Sequence, residues 1–137
     1  MERTGVDVTT ARAHLQARQS QSNRAREFAR QRALEMVHGA ARSVLPAFPQ
    51  VHRALVFGSI TRAGAMRRDS DIDIAIEGPL SAEEYFALWR ELERAISGFE
   101  VEIVELDKDL RFAERVRETG EVIYEVQDSH RESGHRR

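Results

Sequence analysis

Asp71 and Asp73 stand two residues apart in a run otherwise made for a β-strand, where Ile72, Ile74 and Ile76 alternate with Asp71, Asp73 and Ala75. Alternate residues of a strand leave on opposite faces. Both carboxylates therefore share one face, roughly 6.5–7 Å apart along the chain, and the isoleucines turn to a core on the other. Aspartate is disfavoured in strands, so two of them amid isoleucines point to a use. Paired carboxylates suit hard cations, which prefer oxygen ligands. Glu102 is a further acid inside an apolar run, Val101-Glu102-Ile103-Val104, and it reaches the same pair if its strand lies beside the first. Glu100, at the start of that run, and Glu105, facing the other way, are weaker candidates. Upstream, Gly58-Ser59 closes the apolar run Ala54-Leu55-Val56-Phe57. A glycine lets backbone approach a ligand closely. The first N–H groups of a helix attract phosphate, and the Ser59 hydroxyl adds a donor. Singly, these features also read as a plain turn, a solvated strand face and an acid at a sheet edge. Together they describe a corner for phosphate beside a place for divalent metal.

The surrounding pattern supplies the elements that would position them. Thr9/Thr10 offers a helix N-cap, and helix formers dominate as far as Leu45, before Pro46 and Pro49. Phe28, Ala29, Ala33, Met36, Val37, Ala40, Ala41 and Val44 recur at helical steps, as one buried face requires. The polar stretch Gln19–Asn23 either breaks this helix or leaves its first half as an exposed arm. Ala54–Phe57 reads as a buried strand, Ser59–Met66 as a short helix, Arg67–Ser70 as a loop, and Ile72–Ile76 as a strand ended by Gly78-Pro79. Ser81 and Glu84 have capping-box spacing ahead of the stripe Tyr85, Leu88, Trp89, Leu92 and Ile96, with Gly98 as the expected C-cap. Val101–Leu106 is a further strand, Asp109–Glu118 a helix closed by Gly120, and Val122–Tyr124 a short last apolar segment. The order predicts an α/β (α+β) layer domain. It divides into a helical segment over 1–50, a core over 51–126 and a polar, frayed tail over 127–137.

Composition narrows the classes. The 137 residues suit one domain, and 41% hydrophobic with 32% charged residues is ordinary for a globular protein with a well-solvated surface. With no cysteine, disulfides and Cys-based zinc sites are excluded. His14, His38, His52, His130 and His135 are scattered without metal-ligand spacing. No apolar run approaches the ~20 residues of a membrane span, and no signal-peptide h-region follows Met1, so a cytoplasmic location without membrane contact is expected. The net charge of −2 gives no general attraction for long nucleic acid. It is uneven: Met1–Gln50 carries eight arginines against Glu2, Asp7, Glu27 and Glu35, and the remainder 13 basic against 19 acidic residues.

Gly58-Ser59-Ile60-Thr61-Arg62-Ala63-Gly64, followed after a short gap by Ser70-Asp71-Ile72-Asp73 and a later strand acid, resembles the DNA polymerase β-like nucleotidyltransferase superfamily. The likeness covers about Arg53 to Tyr124, including the closing Gly120…Tyr124 pattern, and the short chain is most similar to the minimal nucleotidyltransferases. It departs in two places. An extra alanine precedes the loop glycine, so that Ser-Asp arrives one residue late, and Glu102 stands where the family usually has Asp. The resemblance implies a nucleotidyltransferase fold with ATP or another nucleoside triphosphate over Gly58 and Ser59. It implies two Mg2+ ions held by Asp71 and Asp73 with Glu102, and Arg62 and Ser70 beside the nucleotide. It further implies transfer of AMP to a hydroxyl of a HEPN-domain toxin, the chain being its antitoxin. Two other uses fit the same residues: a degenerate nucleotidyltransferase fold that masks a partner by binding alone, and a small-molecule nucleotidyltransferase completed by another subunit. The front half of the long helix, with Leu15, Arg12, Arg18 and Arg24, is the expected contact for a partner or for self-association.

Overall fold

The computed structural model describes residues 3–67 and 69–126, with side chains from residue 8 onward. Helix α1 (Arg3–Val44) leads into strand β1 (Arg53–Phe57), and strand β2 (Ile72–Glu77) follows a turn and loop. Helix α2 (Ala82–Ala95), strand β3 (Val101–Glu105), helix α3 (Leu110–Thr119) and strand β4 (Glu121–Glu125) complete the order. The four strands form one mixed sheet, β3-β2-β1-β4. β1 runs antiparallel to β2 and β4, and β2 parallel to β3. The expected α+β layer architecture is what the chain adopts.

The period-two alternation of β2 separates two cores. Ile72, Ile74 and Ile76 pack with Ala54 and Val56 of β1, with Ala33, Val37 and Ala41 of α1, and with Leu88 and Leu92 of α2. The opposite face is smaller: Ala75 and Leu55 lie under Ala113 and Val116 of α3, with Leu106. Each fully buried Leu or Ile contributes about 1.5–3 kcal/mol, so the larger face carries most of the stability. The capping box that Ser81 and Glu84 predict is present, with Ser81 Oγ accepting from the Glu84 N–H and Glu84 Oε1 accepting from the Ser81 N–H. Tyr85 and Trp89 of the α2 stripe are only half-buried, because their polar tips serve the outer edge of β3. The Tyr85 hydroxyl donates to the Ile103 carbonyl at 2.8 Å and the Trp89 indole N–H to the Val101 carbonyl at 2.9 Å. A sheet edge plugged in this way offers less for another strand to pair with.

Four local expectations change. α1 takes the second of its two expected courses, running unbroken through Gln19–Asn23 with an exposed first half, but it is already helical through Thr9 and Thr10, where a cap is expected. No Gly or Pro interrupts it between Val6 and His38, and Gln, Ser and Asn cost a helix only a few tenths of a kcal/mol each, up to about 0.7. Phe28 and Ala29 are exposed, Phe28 by 64%, and do not join the buried face, which begins at Ala33 where the sheet and α2 first reach the helix. The Arg32 guanidinium lies over the Phe28 ring, 5.8 Å from its centre. Ser59–Met66 forms one 3-10 turn, Gly58–Thr61, and then a looser loop. α2 is capped at Ile96, with Gly98 in the turn beyond it. The frayed tail expected over 127–137 lies outside the described residues.

Gly78 ends β2 at φ +136°, and a Cβ there would run into the backbone carbonyl of Gln50. That φ belongs almost to glycine alone, and backbone cannot step aside as a long side chain would. Gly78→Ala should therefore lower the unfolding free energy by at least about 2 kcal/mol. A fall in the urea midpoint with an unchanged denaturant slope is the expected result; an unaltered midpoint would contradict the fit described.

Candidate active site

Strand register brings the separated residues of the sequence together. Phe57, the last residue of β1, pairs with Asp73 of β2, and Asp73 pairs with Glu102 of β3. Partners in register share a face, so Asp73 and Glu102 both leave the sheet on the α3 side, away from the isoleucines. Gly58 then turns the chain at φ +81°. A Cβ on Gly58 would stand 2.5 Å from Asp73 Oδ2. The corner backbone and the strand carboxylate are thus in contact, and only glycine permits it. Asp71 sits one residue ahead of β2, exposed.

Electrostatics mark the same spot. The Asp73 carboxyl is pushed up from 3.8 to about 6, first by burial, then by the charges of Glu102 and Asp71 and by a hydrogen bond with Glu102. Like charges held together without a cation favour a proton on one of them. Among the described residues none of Asp71, Asp73 and Glu102 makes an ion pair. This all-oxygen, mutually repelling donor set has the chemistry of a hard divalent cation such as Mg2+. It is not a closed cage: among the described residues no three His, Cys, Asp or Glu side chains are grouped tightly enough to hold a metal ion. Asp71 and Glu102 are exposed.

The remaining predicted residues surround this centre unequally. Ser59 is the second residue of the 3-10 turn, whose N-terminus no side chain caps. With four residues the turn has no helix dipole of consequence, so its attraction for phosphate rests on local N–H groups and the hydroxyl. The Ser70 hydroxyl oxygen accepts from the Arg67 N–H at 2.8 Å, which ties the loop leading into Asp71. Arg62 is exposed and directly follows the turn. Glu105 faces away from the acids, as the alternation predicts, and pairs with Lys108 at 3.4 Å. His38 pairs with Glu121.

Sequence reading missed the part played by four neighbours. Phe57 and Phe112 meet edge to face, 5.4 Å between ring centres, on the face that carries Asp73. Thr61 Oγ1 donates to the Gly58 carbonyl at 2.7 Å. Arg30, from α1, donates to the Ile60 carbonyl at 2.8 Å. The phenylalanines carried the signal of any apolar residue, and Arg30 looked like one arginine among many on a helix.

Residues 41–129 match the family model described as polymerase beta, nucleotidyltransferase. The match spans well over half of the chain, which therefore belongs to the polymerase β nucleotidyltransferase family. The search of curated proteins gave no match. Solved structures share the fold. A toxin–antitoxin crystallised with AMP-PNP is 24% identical at a TM-score of 0.56, over 66% of this chain and 75% of that one. The tri-AMPylated Shewanella oneidensis HEPN toxin in complex with MNT antitoxin matches at 20% identity and TM-score 0.52, over 71% and 76%. A putative nucleotidyltransferase from Sulfolobus solfataricus matches at 20% and 0.50, over 72% and 85%.

In metal-free buffer, Asp73 holds its proton more tightly in the folded chain, about 6, than at its ordinary 3.8. The native state therefore binds more protons than the unfolded state between those values. This group's contribution to stability is full below about pH 4 and declines as pH rises to about 6. Asp73→Asn removes the titration. The melting temperature of the variant relative to wild type should climb across that window and stay above it at neutral pH. A difference that is flat with pH would show that Asp73 is not in a repelling cluster.

Proposed function

We propose that the chain is a metal-dependent nucleotidyltransferase that moves AMP from ATP, or the nucleotidyl group of another triphosphate, to a hydroxyl of a HEPN-type toxin, and so acts as its antitoxin. The observation that carries this reading is the single register in which the Gly58 corner, Asp73 and Glu102 meet. Family membership supports the reaction class. The similar structures that hold AMP-PNP in one case and an AMPylated HEPN toxin in another support the nucleotide and the acceptor.

Asp71, Asp73 and Glu102 are the residues that would hold Mg2+. When bound, two such ions supply charge neutralisation at the attacking and leaving oxygens of an in-line displacement. The chain's own residues do the rest. The Gly58–Ser59 backbone and the Ser59 hydroxyl receive the phosphates, and Arg62 offsets their charge. Glu102, exposed on an edge strand, takes the proton from the acceptor hydroxyl. That oxygen bonds to the α-phosphorus as the bond to the β-phosphate oxygen breaks, and pyrophosphate leaves.

One observation favours a second reading. The three carboxylates do not close into a metal group, which suits a degenerate fold that neutralises its partner by binding alone. The two readings separate in solution. With Mg2+ and millimolar ATP, the melting temperature should rise, because ligand bound only to the native state adds RT ln(1 + [L]/Kd). Ser59→Ala should reduce the rise and Gly58→Val abolish it, while Asp71→Asn with Asp73→Asn should end AMP transfer yet keep toxin binding. No rise with any triphosphate would favour the binding-only protein.

The partner contact we assign to the front of α1. Every residue from Val8 to Arg26 is exposed, Leu15 by 58% and Val8 by 53%. That stretch holds Arg12, Arg18, Arg24 and Arg26 and no acid. Helices in proteins owe most of their stability to packing on one face, and no residue of this length is buried. Removing Met1–Ser22 should leave the fold and triphosphate binding intact and weaken toxin binding or self-association at least tenfold. An unchanged assembly by light scattering and calorimetry would place the contact elsewhere.

A further inference from the structure

We infer that Arg30 of α1 is a positioning residue for the nucleotide corner: it caps the Gly58–Thr61 turn from behind and thereby sets how the corner meets phosphate. This rests on reading that corner as the triphosphate site. The matched family region begins at residue 41, so Arg30 lies outside the part of the chain that the family explains.

The Arg30 guanidinium is held by two prongs. Its Nε and Nη2 donate to the two carboxylate oxygens of Glu27, three residues earlier on the same helix, at 3.0 and 2.6 Å. That leaves Nη1 aimed at the Ile60 carbonyl, 2.8 Å away. The Arg30 side chain is 12% exposed, and Ile60 is fully buried. The last carbonyls of a helical turn lack partners within the turn, and a cation suits that end. Here the first three carbonyls are taken. Thr61 Oγ1 binds that of Gly58, the Arg62 N–H binds that of Ser59 at 3.1 Å, and Arg30 binds that of Ile60. Peptide planes are rigid, so fixing the carbonyls fixes the orientation of the N–H groups that belong to the same planes. The plane that Arg30 holds carries the Thr61 N–H, and Thr61 Oγ1 holds the Gly58 carbonyl, whose plane carries the Ser59 N–H at the open end of the turn. Because Glu27 neutralises the guanidinium, Arg30 acts through geometry more than through charge. Lysine has no planar fork and cannot reproduce the bidentate grip on Glu27 that aims the third bond at Ile60.

The test compares wild type with Arg30→Met, Arg30→Lys and, as a control, the exposed Arg32→Met, all at a temperature well below every melting midpoint. Calorimetry with Mg-ATP, and with its non-hydrolysable analogue, should show affinity reduced about tenfold in Arg30→Met and nearly as much in Arg30→Lys, with Arg32→Met unchanged, as loss of a charge-assisted hydrogen bond implies. In turnover the loss should fall on KM, with kcat within about threefold. Amide hydrogen exchange is read in parallel without nucleotide. Thr61 and Arg62 should exchange at least tenfold faster in Arg30→Met, and the amides of β1 and β2 at the wild-type rate. Exchange at Thr61 and Arg62 that matches wild type overturns the cap. Faster exchange with triphosphate affinity unaltered overturns the positioning role. Wild-type protein that binds no triphosphate overturns the reading of the corner, and the exchange result then decides the cap by itself.

Discussion

Backbone meets carboxylate at Gly58 and Asp73 with no space for a side chain between them, and the arrangement of the whole site follows from that contact. The antiparallel pairing of β1 with β2 puts Phe57 opposite Asp73, so the chain must turn immediately after the paired residue. It does so at a positive φ that glycine adopts without strain. The parallel pairing of β2 with β3 then puts Glu102 on the other side of Asp73. A shift of one residue in either register would turn Asp73 into the isoleucine core and the isoleucines out to solvent. The large buried cost of that slip is what makes the site geometry robust.

Two acids on one face of β2 show how differently a fold can treat a carboxylate. Burial tends to raise Glu77, yet its bonds to Arg117 and Arg53 outweigh that and hold it below its ordinary value. The two arginines come from α3 and β1, at 3.1 and 2.8 Å. Asp73, four residues earlier on that face, has other carboxylates for neighbours and is raised. A satisfied acid ties elements together. An unsatisfied one in a cleft is what a cation or catalytic site requires.

α1 serves two ends. Its rear half closes the larger core through Ala33, Val37 and Ala41, and through Arg30 it touches the turn that begins at Gly58. Its front half is exposed from Val8 to Arg26: 42 residues of helix extend about 63 Å, far more than the sheet can cover. The element that completes the core is thus continuous with the one that lies exposed. Among the described residues, no helix is long and apolar enough to cross a membrane.

Local pattern determined much of this protein. Alternating Ile and Asp made β2 and chose its faces, Ser81 with Glu84 started α2, and Gly58-Ser59 with Asp71 and Asp73 marked the candidate site. These are short-range features, set by strand pleat, cap chemistry and the freedom of glycine. Tertiary structure decided what spacing could not. Sequence contains no term for register, so only the parallel β2–β3 pairing made Glu102 the neighbour of Asp73. The buried stripe of α1 could be read as a period but not as a length. Phe28 and Ala29 fit the period, yet the sheet and α2 end before reaching them. Gln19–Asn23 could be read as a break because its residues favour helix weakly, and the absence of Gly or Pro lets the helix run through. Arg30 was one of eight arginines in the first fifty residues; its bond to a carbonyl thirty positions on exists only because packing of Ala33 and Val37 brings the helix against the turn.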